Sequence, residues 1–452
     1  MVIKQGDLIE ISIKDLNHTG DGVGRYQGQV IFVPDTVIGD TVEIRIGQVK
    51  RHYCLAKTTR LIQPSPYRIR PRCIVADKCG GCQWQHIDDS YQTEVKRGQL
   101  LQSLQKIGGF SAPAVGEVLT GVSSLGYRNK VTYPLGMSAT GKVQAGYYRR
   151  GTHQIINLNQ CPVQDVRLNP LLASIKNDIK ERGWPIYDEK TRQGQLRHLG
   201  LRIGRRTGEI LLTLVTTDPL LTDIDIQAQK WLTDYPDLAG VVLNINHDPG
   251  NVIFGKENQL VAGRDYLTEV FGGLTYRLGA DTFFQVNTEA AEALLDVIID
   301  RLDLKPNETL LDAYCGIGTF TLPLAQKVAR AIGIEIHAHS LEQARLNAGL
   351  NSLFNTTFYS GTVEDILPGL NLTPDVVILD PPRQGCDRSV LQSLLQCQPR
   401  AIVYISCQGA TLARDLKILC DSAQYTLNFV QPADFFPQTA HLECCAFLEK
   451  QG

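Results

Sequence analysis

Leu310-Leu311-Asp312-Ala313-Tyr314-Cys315-Gly316-Ile317-Gly318-Thr319-Phe320 reads as a short apolar strand, a turn bearing two glycines and the start of a helix. With no Cβ at Gly316 or Gly318, the backbone there can approach a ligand closely. Past that helix, Ala331-Ile332-Gly333-Ile334 forms a second apolar strand that closes on Glu335. An acid about 20 residues beyond a glycine turn is placed to accept from the two ribose hydroxyls of a nucleoside. The fuller G-x-G-x-x-G spacing of a dinucleotide site is missing. Asp365 and Asp380 follow in the same βα order. The segment therefore predicts an open α/β sheet holding a nucleoside at the carboxyl ends of its strands.

Two further strands extend the pattern. Val376-Val377-Ile378-Leu379 ends in Asp380-Pro381-Pro382-Arg383, and Ala401-Ile402-Val403-Tyr404-Ile405 ends in Ser406-Cys407. Cysteine is well suited to add to an electron-poor carbon and later leave, although a buried free thiol usually behaves as a small hydrophobe. Rival thiols are Cys315 in the glycine turn, Cys386, Cys397 and Cys420 in helical or loop contexts, and the pair Cys444-Cys445. None of these has the strand-end placement of Cys407.

Residues 271–448 resemble the catalytic domain of the RNA uracil-C5 methyltransferases, Rossmann-like enzymes dependent on S-adenosylmethionine. Five ordered segments carry the resemblance: Phe283-Phe284-Gln285-Val286-Asn287, the turn from Asp312 to Phe320, Asp380-Pro381-Pro382-Arg383, Ser406-Cys407, and Phe436-Pro437-Gln438-Thr439-Ala440-His441-Leu442-Glu443. It implies that Gln285, Tyr314, Glu335 and Asp380 contact S-adenosylmethionine, that Cys407 is the nucleophile, and that Glu443 is the base. Glu443 is expected in a loop between Asp434 and a last strand from Cys444 to Leu448. The implied chemistry explains the residue types. Thiolate addition at carbon 6 of uracil makes carbon 5 nucleophilic enough to take a methyl group, and a base must then remove the proton left there. A carboxylate in a closed, partly apolar site has a raised proton affinity suited to that step. One departure is Gln408-Gly409, where the family usually has Asn or Asp followed by Pro. A more mobile loop is expected there, with the pattern resuming at Ala410 to Leu416. The fourth strand offers no Cys, which favours uracil over cytosine, and Arg383 in place of an aromatic residue counts against amino methylation.

A second constellation lies upstream. Cys73, Cys79 and Cys82 stand as C-x5-C-x2-C, with Cys161-Pro162 as a distant fourth. Thiols clustered this tightly in a chain without an export signal point to metal rather than disulfides. Zinc sites commonly come as two C-x2-C pairs, so a 4Fe–4S cluster is expected in preference to zinc. Many ribosomal-RNA members of the resembled family carry these four cysteines, which implies a structural cluster.

Residues 1–60 alternate short strands with glycine turns, as a small oligonucleotide-binding barrel does, and resemble the TRAM domain of these methyltransferases. From Arg45 to Arg72 there are eight Lys and Arg residues and no acid, a run fitted to a phosphate backbone. Tyr127 to Lys130 and Gly146 to Gly151 mix aromatic and basic side chains, which fits either unpaired bases or an ordinary exposed sheet. The chain has 452 residues, a formal charge of −2, 12 cysteines and no run of 18 apolar residues. RNA affinity must therefore come from local patches rather than a global positive field.

The expected architecture is α/β: a Rossmann-like methyltransferase domain (271–452), an N-terminal OB-like TRAM barrel (1–62), and a central α+β domain (63–270) carrying an iron–sulfur cluster. The expected activity is methylation of carbon 5 of a uridine in RNA, with 23S ribosomal RNA favoured over transfer RNA. The alternative is a non-catalytic iron–sulfur RNA-binding protein. A cytoplasmic monomer without a membrane contact is expected.

Overall fold

The computed structural model describes residues 3–370 and 373–451. No helix among them is long and apolar enough to cross a membrane.

The N-terminal unit is a six-stranded sheet built from Leu8–Ser12, Asp15–Leu16, Gly22–Tyr26, Gln29–Val33, Thr41–Val49 and Tyr53–Gln63. In pairing order it begins at Leu8–Ser12 and ends at Asp15–Leu16, and no ladder joins those two edges among the described residues. The barrel expected from the sequence is thus an open, curled sheet. Only Ile13 and Lys14 separate the two edge strands, and Ile13 N–H donates to Asp40 O at 2.8 Å while Lys14 N–H donates to Val23 O at 2.9 Å. Side chains also meet across the gap, since a Cβ on Gly24 would sit 2.7 Å from Ile11 Cδ1. Lys50, Arg51, Lys57 and Arg60 are exposed along the last two strands, whereas Arg68 is spent on a bidentate pair with buried Asp40.

A second six-stranded sheet runs Glu257–Gly263, Leu238–Ile245, Ile210–Thr216, Leu196–Ile203, Lys130–Met137, Val143–Ala145. Helices Asn169–Arg182 and Ile224–Asp234 cover it, burying Leu172, Ile175 and Trp231. The aromatic residues of this region serve mainly as packing. Tyr127 and Tyr133 are buried, and Tyr147 packs edge-on against Tyr133 at 5.0 Å.

The third sheet has eight strands in the order Thr356–Ser360, Arg330–Glu335, Thr309–Asp312, Val376–Leu379, Ala401–Ser406, Glu443–Lys450, Tyr425–Asp434, Leu119–Thr120. The first five are parallel, and Glu443–Lys450 runs antiparallel to its neighbours on both sides. Alternate side chains feed two separate cores, Leu310, Val376, Val403 and Cys445 on one face and Leu311, Val377, Ile402 and Cys444 on the other. Burial on both faces is why these strands read as continuous apolar runs. The eighth strand, Leu119–Thr120, comes from the middle of the sequence, and so does helix Asp89–Lys106, which packs against helix Gly409–Asp421.

Candidate active site

Strand Thr309–Asp312 sits where the strand order reverses, between Arg330–Glu335 and Val376–Leu379. Such a switch point opens a crevice beyond the carboxyl ends of the strands. Gly316 and Gly318 turn there with φ of +55° and +84°, and a Cβ at Gly316 would meet nothing within 4 Å. Glu335 braces the turn, accepting from Gly316 N–H at 3.0 Å and His337 N–H at 2.7 Å. Asp312, buried beneath, accepts from Thr321 Oγ1 at 2.5 Å, and burial pushes its carboxyl up to about 6. Half-buried Asp380, on the next strand end, is pushed well above the usual carboxylate range by burial, then by Glu443 and Asp312. Tyr314 projects from the turn with its hydroxyl 3.9 Å from Cys386 Sγ.

Gln285 is buried beside this crevice, and its segment is held from the central sheet. Asn129 Nδ2 donates to Gln285 O at 2.8 Å and Asn129 N to Val286 O at 2.9 Å. Phe284 enters an aromatic core with Phe271 and Tyr276, whereas Phe283 is exposed. Asp365 is exposed and accepts from Thr362 Oγ1 at 2.7 Å, which makes it part of a helix cap rather than of the crevice.

Cys407 follows strand Ala401–Ser406 directly. The antiparallel ladder ends with Ser406 opposite Cys444, so Cys407 and Glu443 are the residues immediately beyond its last pair, one on each strand. Glu443 is the first residue of its strand and is buried, not part of the preceding loop as expected from the sequence. Burial pushes its carboxyl up to about 7 against the opposing pull of the Arg383 guanidinium. The Cys407 thiol is half-buried and pushed up by burial and by Glu443, with Arg383 opposing.

The thiol opens on a cleft of about 630 Å³ between the third sheet, helix Asp89–Lys106 and the N-terminal unit, lined by Cys407, Gln408, Lys96, Gln99, His441 and, from the N-terminal unit, His18. The loop at Gln408-Gly409 has little slack. Gln408 N–H donates to Ser406 Oγ at 3.1 Å, and the helix starts at Gly409.

Lys96 was not singled out by the sequence. Its side chain is fully buried, pairs with Asp434 Oδ1 at 2.8 Å and donates to Phe436 O at 3.3 Å. The readable signal is spacing: Gln92 and Lys96 fall on the same i, i+4 line as Leu100 and Leu104, so two polar residues occupy the buried stripe of helix Asp89–Lys106. Of the rival thiols, Cys315 is buried against Gly333, Cys386 N–H is bonded to Tyr404 Oη and Asp415 Oδ2, and Cys445 lies on the face of the sheet opposite Cys444, which itself lines the cleft.

Cys73, Cys79, Cys82 and Cys161 line a single cavity and form no disulfide. Gly81 N–H points at Cys79 Sγ (3.4 Å) and Gln85 Nε2 at Cys82 Sγ (3.7 Å). Burial pushes the thiol of Cys82 up to about 12, with Cys161 and Cys79 adding to the rise. Among the described residues, no three His, Cys, Asp or Glu side chains are grouped so as to hold one metal ion.

Residues 148–451 match the family model described as tRNA (uracil-5-)-methyltransferase, and residues 3–59 match the TRAM domain. An uncharacterized RNA methyltransferase of Nostoc sp. is 61% identical over 98% of this chain and 96% of its own, and one of Synechocystis sp. is 53% identical over 99% and 96%. The crystal structure of Pyrococcus abyssi tRNA (uracil-54, C5)-methyltransferase with S-adenosyl-L-homocysteine superposes with a TM-score of 0.77 at 26% identity, covering 97% of this chain and 100% of that one. With two thirds of its length inside the family model and relatives matched end to end, the chain belongs to the tRNA (uracil-5-)-methyltransferase family.

Proposed function

We propose that this enzyme transfers a methyl group from S-adenosylmethionine to carbon 5 of a uridine in RNA through a covalent bond to Cys407. The observation that carries the proposal is the pairing of Ser406 with Cys444, which brings the cleft-lining thiol of Cys407 and the buried carboxyl of Glu443 to the same end of adjacent strands, one strand away from Asp380. S-adenosylmethionine, when bound, supplies an electrophilic methyl on a sulfonium. Glu335 holds the ribose hydroxyls, while Tyr314, Gln285 and Asp380 line the rest of that crevice. A target uridine inside folded RNA is turned out of its stack to enter the cleft.

The Cys407 thiol gives its proton to solvent and its sulfur bonds to carbon 6 of the base, the electron pair of the 5,6 double bond moving onto the enolate. Carbon 5 takes the methyl group as the bond from that methyl to the sulfonium breaks and a neutral thioether leaves. Glu443 then removes the proton from carbon 5, the electron pair restores the ring double bond, and the sulfur–carbon bond breaks to return the thiolate. A carboxyl near 7 is half ionised at neutral pH and so can both accept this proton and shed it. Arg383, which draws down the proton affinity of both Cys407 and Glu443, favours the charged forms the two steps need.

Cys73, Cys79, Cys82 and Cys161 would hold a 4Fe–4S cluster. A zinc ion needs its ligands gathered round one point, whereas a cluster takes one thiolate at each of four spread corners. Four thiols around one cavity, two of them facing N–H donors, support that reading. Its role would be to tie residues 73–82 to Cys161. In this reading residues 1–62 grip the RNA backbone, 63–270 carry the cluster, and 271–452 perform the transfer, in a cytoplasmic monomer.

Ribosomal RNA is the proposed substrate, because the TRAM module and the four cysteines occur together. Transfer RNA is the second reading, favoured by the substrate named for the Pyrococcus abyssi structure. Mapping 5-methyluridine in both RNAs from cells lacking this protein separates them. A site lost from 23S ribosomal RNA supports the first reading, and one lost only from transfer RNA replaces it with the second.

A further inference from the structure

The loop Phe436–Leu442 that leads into Glu443 contains one residue in the left-handed region, Gln438 at φ +69°. A side chain rarely adopts this backbone unless its surroundings hold it there. Here every polar atom of Gln438 is bonded, and every partner lies more than 300 residues earlier in the chain. Its N–H donates to Gln92 Oε1 at 3.0 Å, and its Oε1 accepts from Gln92 Nε2 at 3.2 Å. Its Nε2 donates to Asp89 Oδ1 at 2.8 Å, and its carbonyl accepts from Gln83 N at 3.1 Å and Trp84 N at 3.0 Å. Two neighbours repeat the pattern: Pro437 O accepts from Tyr127 Oη at 3.1 Å, and Phe436 O from Lys96 Nζ at 3.3 Å. Gln83 directly follows Cys82, a wall of the four-cysteine cavity.

We propose that Gln438 is a positioning residue, a splice through which the segment after Cys82 and the helix Asp89–Lys106 set the place of Glu443 in the cleft. This rests on the reading of Glu443 as the base. The four-cysteine segment then bears on catalysis by geometry alone, through Cys82, Gln83 and Gln438, without any electron transfer. A loop freed from this splice would leave the nucleophile and the nucleoside crevice intact, because neither Cys407 nor Glu335 depends on it. Only proton removal from carbon 5 would suffer.

The test compares full-length Gln438→Ala, Gln92→Ala, Glu443→Gln and wild-type protein, with total RNA from cells lacking the enzyme as substrate. Gln92→Ala removes two of the bonds from the helix side and leaves the loop sequence untouched. Both splice variants are expected to lose turnover by about 10²-fold and to accumulate a covalent protein–RNA adduct that carries the transferred methyl group. Binding of S-adenosylhomocysteine should stay within about twofold of wild type by titration calorimetry, since the crevice is built from other bonds. Turnover near the wild-type rate would overturn the proposal, as would turnover lost without an adduct. Loss of the folded state in both variants would also overturn it, by showing that these bonds carry the fold rather than the placement of Glu443. Glu443→Gln keeps the two readings apart. If it turned over normally, the base assignment itself would fail; if it alone trapped the adduct, only the role of Gln438 would fall.

Discussion

At the glycine turn the bonds are short in sequence: Thr321 reaches Asp312 across nine residues and Gly316 reaches Glu335 across nineteen. At the Glu443 loop they are long: Tyr127 to Pro437 spans 310 residues, Lys96 to Phe436 spans 340 and Asp89 to Gln438 spans 349. Both regions end at carboxylates facing one site, yet they are assembled in opposite ways. The first is a chain of βα units, each of which completes its own strand end. The second has a turn of its own, with Thr439 N–H and Oγ1 both donating to Phe436 O, but it is anchored by a helix and a loop formed elsewhere. A substitution in the first region should therefore act on ligand affinity, and one in the second on catalysis and stability together.

The strongest test of this contrast is Cys407→Ala. Methylation should fall on the order of 10⁴-fold or more, no covalent adduct should form with RNA, and affinity for S-adenosylhomocysteine should be unchanged by calorimetry. Adduct formation without this sulfur would move the chemistry to another residue. Glu443→Gln should lower kcat by about 10²- to 10⁴-fold while the adduct builds up on a denaturing gel, a combination that Cys407→Ala cannot produce. Lys96→Met leaves Asp434 buried without its partner and should cost about 3–5 kcal/mol in urea unfolding. Adding Asp434→Leu should restore much of that loss, and no recovery would mean that the pair matters for something other than charge compensation.

Smaller effects are expected on the glycine-turn side. Glu335→Ala should weaken S-adenosylmethionine binding by about 10- to 10²-fold and leave kcat at saturation nearly unchanged. A fall in kcat instead would couple the two regions. Burial raises Glu443 to about 7, and its ionised form is the base, so activity declines as pH falls through 7 and recovers above it. Between pH 6 and pH 8 the Glu443 contribution alone amounts to about tenfold, and ionisation of the Cys407 thiol steepens the rise further. The raised thiol of Cys407 acts in the same direction, so no descending limb is expected below pH 9.

The legible parts of the site were those whose signal lies within one βα unit. Gly316, Glu335, Asp380 and Cys407 each stand at the end of an apolar run, and pattern alone gives them an address. Glu443 was placed in a loop because its strand partner, Ser406-Cys407, lies well upstream and the run before Cys444 has no alternation to reveal it. Lys96 and Gln92 were missed because a polar residue on an apolar stripe means nothing until its buried partners, Asp434 and Gln438, are known. Tyr127 carried a false hint of base stacking, since an aromatic beside an arginine reads the same whether exposed or buried.

Hydrophobic periodicity, glycine turns and strand-end acids are local properties, and by themselves they determined the α/β class, the crevice at the switch point and the thiol at its edge, while the choice among RNA substrates came from the family resemblance alone. Tertiary structure alone decided that residues 89–120 join the catalytic sheet, that the N-terminal sheet stays open, and that the loop before Glu443 is shaped by Gln83, Asp89, Gln92 and Lys96. The reason is that a buried polar group must find a partner wherever the folded chain supplies one, and sequence distance places no limit on where that is.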